Sequence, residues 1–264
     1  MTMIRVFCVL ALLAVGTAFG AGQALAADSV LKQILDSGTL KVGTTGDWNP
    51  MSMKDPATNS YRGYDIDVTQ ELAKDLGVEV EYVPTDWKTL VNGVVSGKYH
   101  MTGSASLSPA RAKVAGYSNS YFDLATVPLT LKKNAERFKD WDDIDKADVT
   151  VAATLGTTQE QQVKQFFPNA QKKIIEAPAR DFQEVLAGRA DVHITSNVEA
   201  STLVEKYPEM MVVPVGEARA RTPIAMLLPQ QDQAWINYVN HWIHLKQARG
   251  FFRELGAKWK LTNE

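Results

Sequence analysis

The sequence predicts an α/β fold of two lobes joined by a hinge, with a cleft between them. Three observations carry this reading. Strand and helix patterns alternate along the chain, the alternation occurs in two successive blocks, and an amphipathic C-terminal segment returns to complete the first block. A β-α-β-α-β order implies a parallel-rich sheet with helices on its faces. A chain of 264 residues is long enough to bury one sizeable core or two small ones.

In the first block, Leu40 to Thr45 reads as a buried strand that delivers Gly46 and Asp47 at its end. Asp65 reads as a helix N-cap, with Val68, Leu72, Ala73 and Leu76 at helical spacing and Gly77 as the stop. Val78 to Val83 alternates apolar and acidic residues, as a strand with one wet face does. Trp87 to Val95 predicts a second helix and Tyr99 to Thr102 a short strand. The second block predicts strands at Val149 to Ala152, Lys173 to Glu176 and Asp191 to Ile194. Helices lie at Thr158 to Phe167 and around Phe182, Val185 and Leu186, the latter stopped by Gly188. Pro223 to Leu228 is extended, and Trp235, Tyr238, Val239, Trp242 and Leu245 mark the final helix. The expected division is residues 27–131 plus 222–264 for the first lobe and 132–221 for the second, with crossings near Leu131-Lys132 and Ala220-Arg221.

The N-terminus predicts a cleavable export signal covering residues 1–26. A short basic start precedes an almost wholly apolar run, and Ala24-Leu25-Ala26 has the small-x-small pattern of a signal-peptidase site. The apolar run is short of the ~20 residues that a membrane span needs. The expected mature chain carries 27 basic and 30 acidic residues. It has no broad basic field for nucleic acid or an anionic membrane surface. Cys8, the only cysteine, falls in the leader, so the mature chain has no disulfide framework, thiol nucleophile or cysteine-based metal site. These features together suit a periplasmic location. His193, His241 and His244 do not have metal-ligand spacing, and no glycine-rich phosphate loop is present, so no metal or cofactor is expected.

In open α/β sheets, ligands bind beyond the carboxyl ends of strands, which here means the interlobe cleft. The strand ends supply Asp47 and Trp48, then Thr102 and Ser104 followed by Arg111, then Thr157 and Thr158, then Ser196 and Glu199. A guanidinium is a planar fork that matches a carboxylate, although by spacing alone Arg111 fits an exposed helix equally well. Thr157 and Thr158 open a helix whose free N–H groups favour an anion, and simple N-capping by threonine accounts for them too. Trp48 and Trp87 fit either core positions or cleft walls that stack a flat or cationic group.

Several pieces resemble the bacterial family 3 extracellular solute-binding proteins, which have the periplasmic-binding-protein-like fold. These are Leu40-Lys41-Val42-Gly43-Thr44, Gly63-Tyr64-Asp65-Ile66-Asp67-Val68, Ser108-Pro109-Ala110-Arg111-Ala112 before Tyr117-Ser118, and Leu155-Gly156-Thr157-Thr158, in the family's order. Within that family, Thr44-Thr45-Gly46-Asp47-Trp48, Val83-Pro84-Thr85-Asp86-Trp87 and His241-Trp242-Ile243-His244-Leu245 look like the cyclohexadienyl dehydratase branch. The resemblance implies that Arg111, joined by Thr102 and Ser104, grips a ligand carboxylate, and that Thr157 and Thr158 complete the grip. Asp47, Trp48, Trp87, Ser196 and Glu199 would read the rest. It also implies an inner-membrane ABC permease as partner and capture of a small carboxylate-bearing, amino-acid-like solute.

Two departures bear on the ligand. Amino-acid-binding members carry an aspartate for the ligand ammonium where this chain has Ser196, and an ammonium buried without a carboxylate is costly, which weighs against a standard α-amino acid unless Asp47 or Glu199 takes over. Glu199 matches the general acid of the dehydratase, where burial in an apolar cleft would favour the protonated form; sequence alone favours a surface helical glutamate. Ala153 stands where that enzyme has an active-site asparagine and offers no hydrogen bond. A binding protein is therefore the expected reading, with a prephenate or arogenate dehydratase using Glu199 as the second.

Overall fold

The computed structural model describes residues 29–261. The expected leader, with Cys8 and the cleavage site, lies outside the described residues.

The chain enters through α1 (Val30–Ser37), capped by the Ser29 hydroxyl, and continues into β1 (Thr39–Thr44). A small antiparallel meander follows: β2 (Asp47–Trp48), β3 (Ser52–Lys54) and β4 (Tyr61–Arg62). The next helix, α2 (Tyr64–Leu76), buries Ile66, Val68, Leu72 and Leu76, and ends at Gly77, whose φ of 72° lets its N–H close on Ala73 and Lys74. It starts two residues earlier than it would if Asp65 capped it. Gly63 is the N-cap, and Asp65 sits inside the first turn with its side chain buried. β5 (Glu79–Pro84), α3 (Leu90–Val95), β6 (Met101–Thr102), β7 (Ser104–Ser106), α4 (Pro109–Ala112), β8 (Gly116–Tyr117) and the long β9 (Phe122–Leu131) complete the block. Trp87 stays in the turn before α3 rather than inside it. β5 and β6 flank β1 in parallel, as the alternating pattern requires.

The second block runs β10 (Thr150–Thr154), α5 (Thr158–Phe166), β11 (Gln171–Ile175), α6 (Asp181–Leu186), β12 (Val192–Ser196), α7 (Asn197–Lys206) and β13 (Met210–Val212). β10 lies parallel between β11 and β12. Strand alternation turns Val151, Ala153, Val192 and Ile194 into one apolar cluster with Val163 and Phe167. Ala152 faces the opposite cluster with Val185 and Leu203. The chain returns through β14 (Arg219–Leu228), α8 (Gln233–Ala248) and α9 (Phe251–Lys258). Trp235, Val239, Trp242, Ile243 and Phe252 then pack with Ile34, Leu40 and Leu72 in the core of the first lobe.

β9 is shared by both halves. Its Phe122 and Leu124 belong to the first lobe's core, whereas Val127, Leu129 and Leu131 pack in the second. The chain changes lobe within β9, several residues before Leu131-Lys132. The strand is apolar on both sides of the crossing, and its one proline, Pro128, lies past it within the paired strand. β14 runs antiparallel beside it, and the register shifts between Arg219 and Thr222, where Ala220 adopts φ 48°. Two adjacent strands crossing together make the hinge a short ribbon. Among the described residues, no helix is long and apolar enough to cross a membrane.

Candidate functional site

The carboxyl ends of β10 and β12 face the first lobe across a cleft. Trp48, Trp87, Ser106 and Arg111 line it from one side. Thr154, Thr157, Thr158, Arg180, Asp181, His193, Thr195, Ser196 and Glu199 line it from the other.

Arg111 follows from α4, a single turn begun by Pro109 after Ser108. It is 7% exposed. Nη1 donates to the Ser106 carbonyl at 3.3 Å, and Nη2 donates across the cleft to the Gly156 carbonyl at 3.0 Å. Burial lowers its pKa, against the opposing effect of Tyr117. No carboxylate among the described residues pairs with it. A guanidinium removed from water and met by carbonyl oxygens and a phenol, with no carboxylate, calls for an anion.

Trp48 and Trp87 form the wall as an edge-to-face pair, with centroids 5.6 Å apart. Trp87 Nε1 donates to Asp47 Oδ1 at 3.1 Å, which fixes the ring. Thr157 caps α5, accepting from Glu160 N–H at 3.2 Å while its hydroxyl donates to the Thr154 carbonyl at 2.6 Å. Thr158 is buried beside it on the cleft. Ser196 caps α7 by accepting from Glu199 N–H at 3.3 Å. Both sets of threonine and serine hydroxyls are thus committed to helix starts that open onto the cleft.

Glu199 is buried on the cleft wall rather than on the surface. Its Oε2 accepts from the Thr195 hydroxyl at 2.5 Å and its Oε1 from Arg180 Nη2 at 2.7 Å. Arg180 also pairs with Asp47 Oδ2 at 2.9 Å and donates to the Asp47 carbonyl. Burial opposes the charge of Arg180, but Glu199, Asp47 and Asp181 outweigh it and raise its pKa. Beneath lies Asp181, whose Oδ2 stands 3.1 Å from His193 Nδ1. The two groups are in contact at that distance without a hydrogen bond at either imidazole nitrogen. Burial acts to raise the Asp181 pKa; His193 and Arg180 outweigh it and hold the carboxyl below its usual range.

Thr102 and Ser104 do not join Arg111. They line a second hollow of about 340 Å³ behind the same two tryptophans. The Thr102 hydroxyl accepts from Leu227 N–H at 3.2 Å and donates to the Gly103 carbonyl. The Ser104 hydroxyl bonds Asp65 and lies 2.8 Å from the Tyr121 hydroxyl. Burial pushes the Asp65 pKa up to about 7, against the hydrogen bonds from Ser104. The buried carboxylate claims these donors, which removes Ser104 from the cleft. Ala153 likewise does not face the ligand space. It lies in the core of the second lobe, and its neighbour Thr154 turns to the cleft with no hydrogen-bond partner for Oγ1 among the described residues.

Sequence reasoning missed Arg180, Asp181, Thr154 and the placing of His193. The signal was available for the first two: Arg180-Asp181 follows the end of β11 just as the other site residues follow theirs. No described group of His, Cys, Asp or Glu is arranged to hold a metal ion.

The comparisons with known proteins agree with this architecture. Cyclohexadienyl dehydratase of Pseudomonas aeruginosa PAO1 is 31% identical over 235 residues, 89% of this chain and 87% of that one. The L-cystine-binding protein TcyJ of Escherichia coli K12 is 26% identical over 238 residues, 90% and 88% of the two chains. Among solved structures, an ancestral amino acid-binding protein described as a precursor of cyclohexadienyl dehydratase superposes with a TM-score of 0.81 at 36% identity, covering 88% of this chain and 99% of that one. The family model matches residues 40–262, and the chain belongs to the bacterial extracellular solute-binding proteins, family 3.

Proposed function

We propose that this chain is a periplasmic receptor that closes on a small carboxylate-bearing solute, of amino-acid size, and presents it to an inner-membrane ABC permease. One observation carries the reading: Arg111 is a buried guanidinium on the cleft, met by two carbonyl oxygens and the Tyr117 side chain but by no carboxylate among the described residues. A ligand carboxylate would supply the missing counter-charge, while the helix starts at Thr157 and Ser196 add N–H groups and favourable dipoles. The tryptophan pair would cover the rest of the ligand. Arg111 and Gly156 belong to different lobes, so a ligand held there would bridge them and favour closure. The names of the cystine-binding and ancestral amino acid-binding relatives support capture of amino-acid-sized molecules. The family description and the sequence of the leader support export.

The test is calorimetric titration of the chain without residues 1–26 against small carboxylates. Binding lost on Arg111→Ala supports the clamp; binding unchanged by that substitution overturns it.

The dehydratase relative makes lyase activity on prephenate or arogenate the second reading. Glu199 would be its general acid, and its burial in the cleft favours that role. Against it, both Glu199 oxygens are already engaged within the protein, by Arg180 and the Thr195 hydroxyl. Phenylpyruvate formed from prephenate, and lost on Glu199→Gln, would establish the lyase.

A further inference from the structure

Every carboxylate at the cleft already has a protein partner. Asp47 and Glu199 are both held by Arg180, at 2.9 and 2.7 Å, and Asp181 faces His193 at 3.1 Å. Arg180 is 12% exposed in its side chain and reaches between the lobes, so it fills the anionic corner with a cation from the chain itself. Arg111 is then the one arginine lining the cleft that has no carboxylate partner among the described residues.

The charge pattern describes the missing ligand. It needs one negative group, for Arg111, and has no free carboxylate for a positive one. A ligand ammonium would either sit unpaired in the cleft or displace Arg180 from two carboxylates, and both are costly. What does remain open is a hydroxyl and an imidazole nitrogen. Thr154 Oγ1 and His193 Nε2 are buried, line the cleft, and have no hydrogen-bond partner among the described residues. They match a carbonyl or hydroxyl oxygen.

We propose that Arg180 is the specificity-determining residue of this site, and that it makes the ligand a small 2-oxo or 2-hydroxy carboxylic acid rather than an α-amino acid. The proposal rests on the receptor reading above, and deepens it. Arg180 occupies, as an internal cation, the position that an ammonium would take. Thr154 and His193 read the oxygen on the carbon next to the carboxylate, and Trp48 and Trp87 cover the side chain.

The experiment uses two sets of ligands that differ only at that carbon. One is phenylpyruvate, phenyllactate and phenylalanine; the other is 4-methyl-2-oxopentanoate, its 2-hydroxy counterpart and leucine. Lysine and arginine are added as cationic probes. Calorimetry is run on the wild-type chain, Arg180→Met, and Arg180→Met combined with Glu199→Gln. Wild type is expected to bind an oxo or hydroxy acid at least tenfold more tightly than its amino acid. Arg180→Met is expected to gain affinity for the amino acids or the cationic probes. The added Glu199→Gln is expected to remove that gain, which a merely structural loss of Arg180 would not produce. Wild-type binding of phenylalanine, leucine, lysine or arginine as tight as that of the oxo acids overturns the proposal. In that case, loss of the same binding on Arg111→Ala leaves the receptor reading standing. If no member of either set binds, both the proposal and the carboxylate clamp beneath it are overturned.

Discussion

Arg180 of the second lobe and Asp47 of the first form an ion pair at 2.9 Å across the cleft, and the same guanidinium also holds Glu199 at 2.7 Å. The contact joins the lobes directly and gives the two carboxylates one shared cationic partner.

Replacing Asp47 tests that latch. Asp47→Asn leaves the Trp87 hydrogen bond an acceptor but removes the charge facing Arg180. We expect the unliganded chain to shift toward an open form, read as a larger radius of gyration by small-angle scattering. The stability loss should be about 1–3 kcal/mol, the usual effect of leaving a buried polar group short of a partner. An unchanged scattering profile would count against the latch.

Arg111→Ala should have a different signature. Its guanidinium is buried without a carboxylate, so its removal should leave the unliganded chain about as stable as before, in contrast to removal of a paired charge. Stabilisation by any bound carboxylate should vanish. Thermal melts with and without ligand separate the two effects.

Gly156 decides how closely the lobes can meet. Its φ is +81°, and an added Cβ would lie 2.7 Å from the Lys88 backbone in the opposite lobe. Gly156→Ala should therefore hold the cleft ajar, weakening ligand binding at least tenfold, and strain the backbone by about 1–3 kcal/mol. A crystal structure of the variant closed on its ligand would refute this.

Asp65 gives a pH signature independent of the ligand. Its ordinary pKa of 3.8 rises to about 7 in the fold because it is buried. The folded chain then keeps a proton that the unfolded chain has released. Its contribution is most favourable below pH 4, declines as pH rises from about 4 to 7, and is constant above. Asp65→Asn keeps an acceptor for Ser104 and removes the titration. The stability difference between variant and wild type should grow over that window by up to about 4 kcal/mol. Urea unfolding at pH 4.5 and pH 8 measures it; a difference that does not change with pH would show that Asp65 is ionised in the fold throughout.

Most elements were legible because local chemistry specifies them. Gly77 and Gly188 both take positive φ where the sequence placed helix stops. β1, β5 and β10 to β12 fall within a few residues of the apolar runs that predicted them. The short meander β2–β4 was not legible, since strands of two or three residues carry too little periodicity. The crossing inside β9 was not legible either, because an apolar strand looks the same whichever core receives it. Trp48, Trp87, Arg111, Thr157, Thr158, Ser196 and Glu199 came together on one cleft, whereas Thr102 and Ser104 went to the hollow behind the tryptophans.

By itself, the sequence determined two α/β lobes, the strand ends that meet between them and a guanidinium beside that meeting place, because hydrophobic period, turn residues and helix caps act over short stretches of chain. Only the tertiary structure decided which charges neutralise one another. Arg180 lies 133 residues from Asp47 along the chain, and no local pattern specifies that pairing. It exists because the folded lobes bring both side chains into one partly dry space, where each charge has to find a partner.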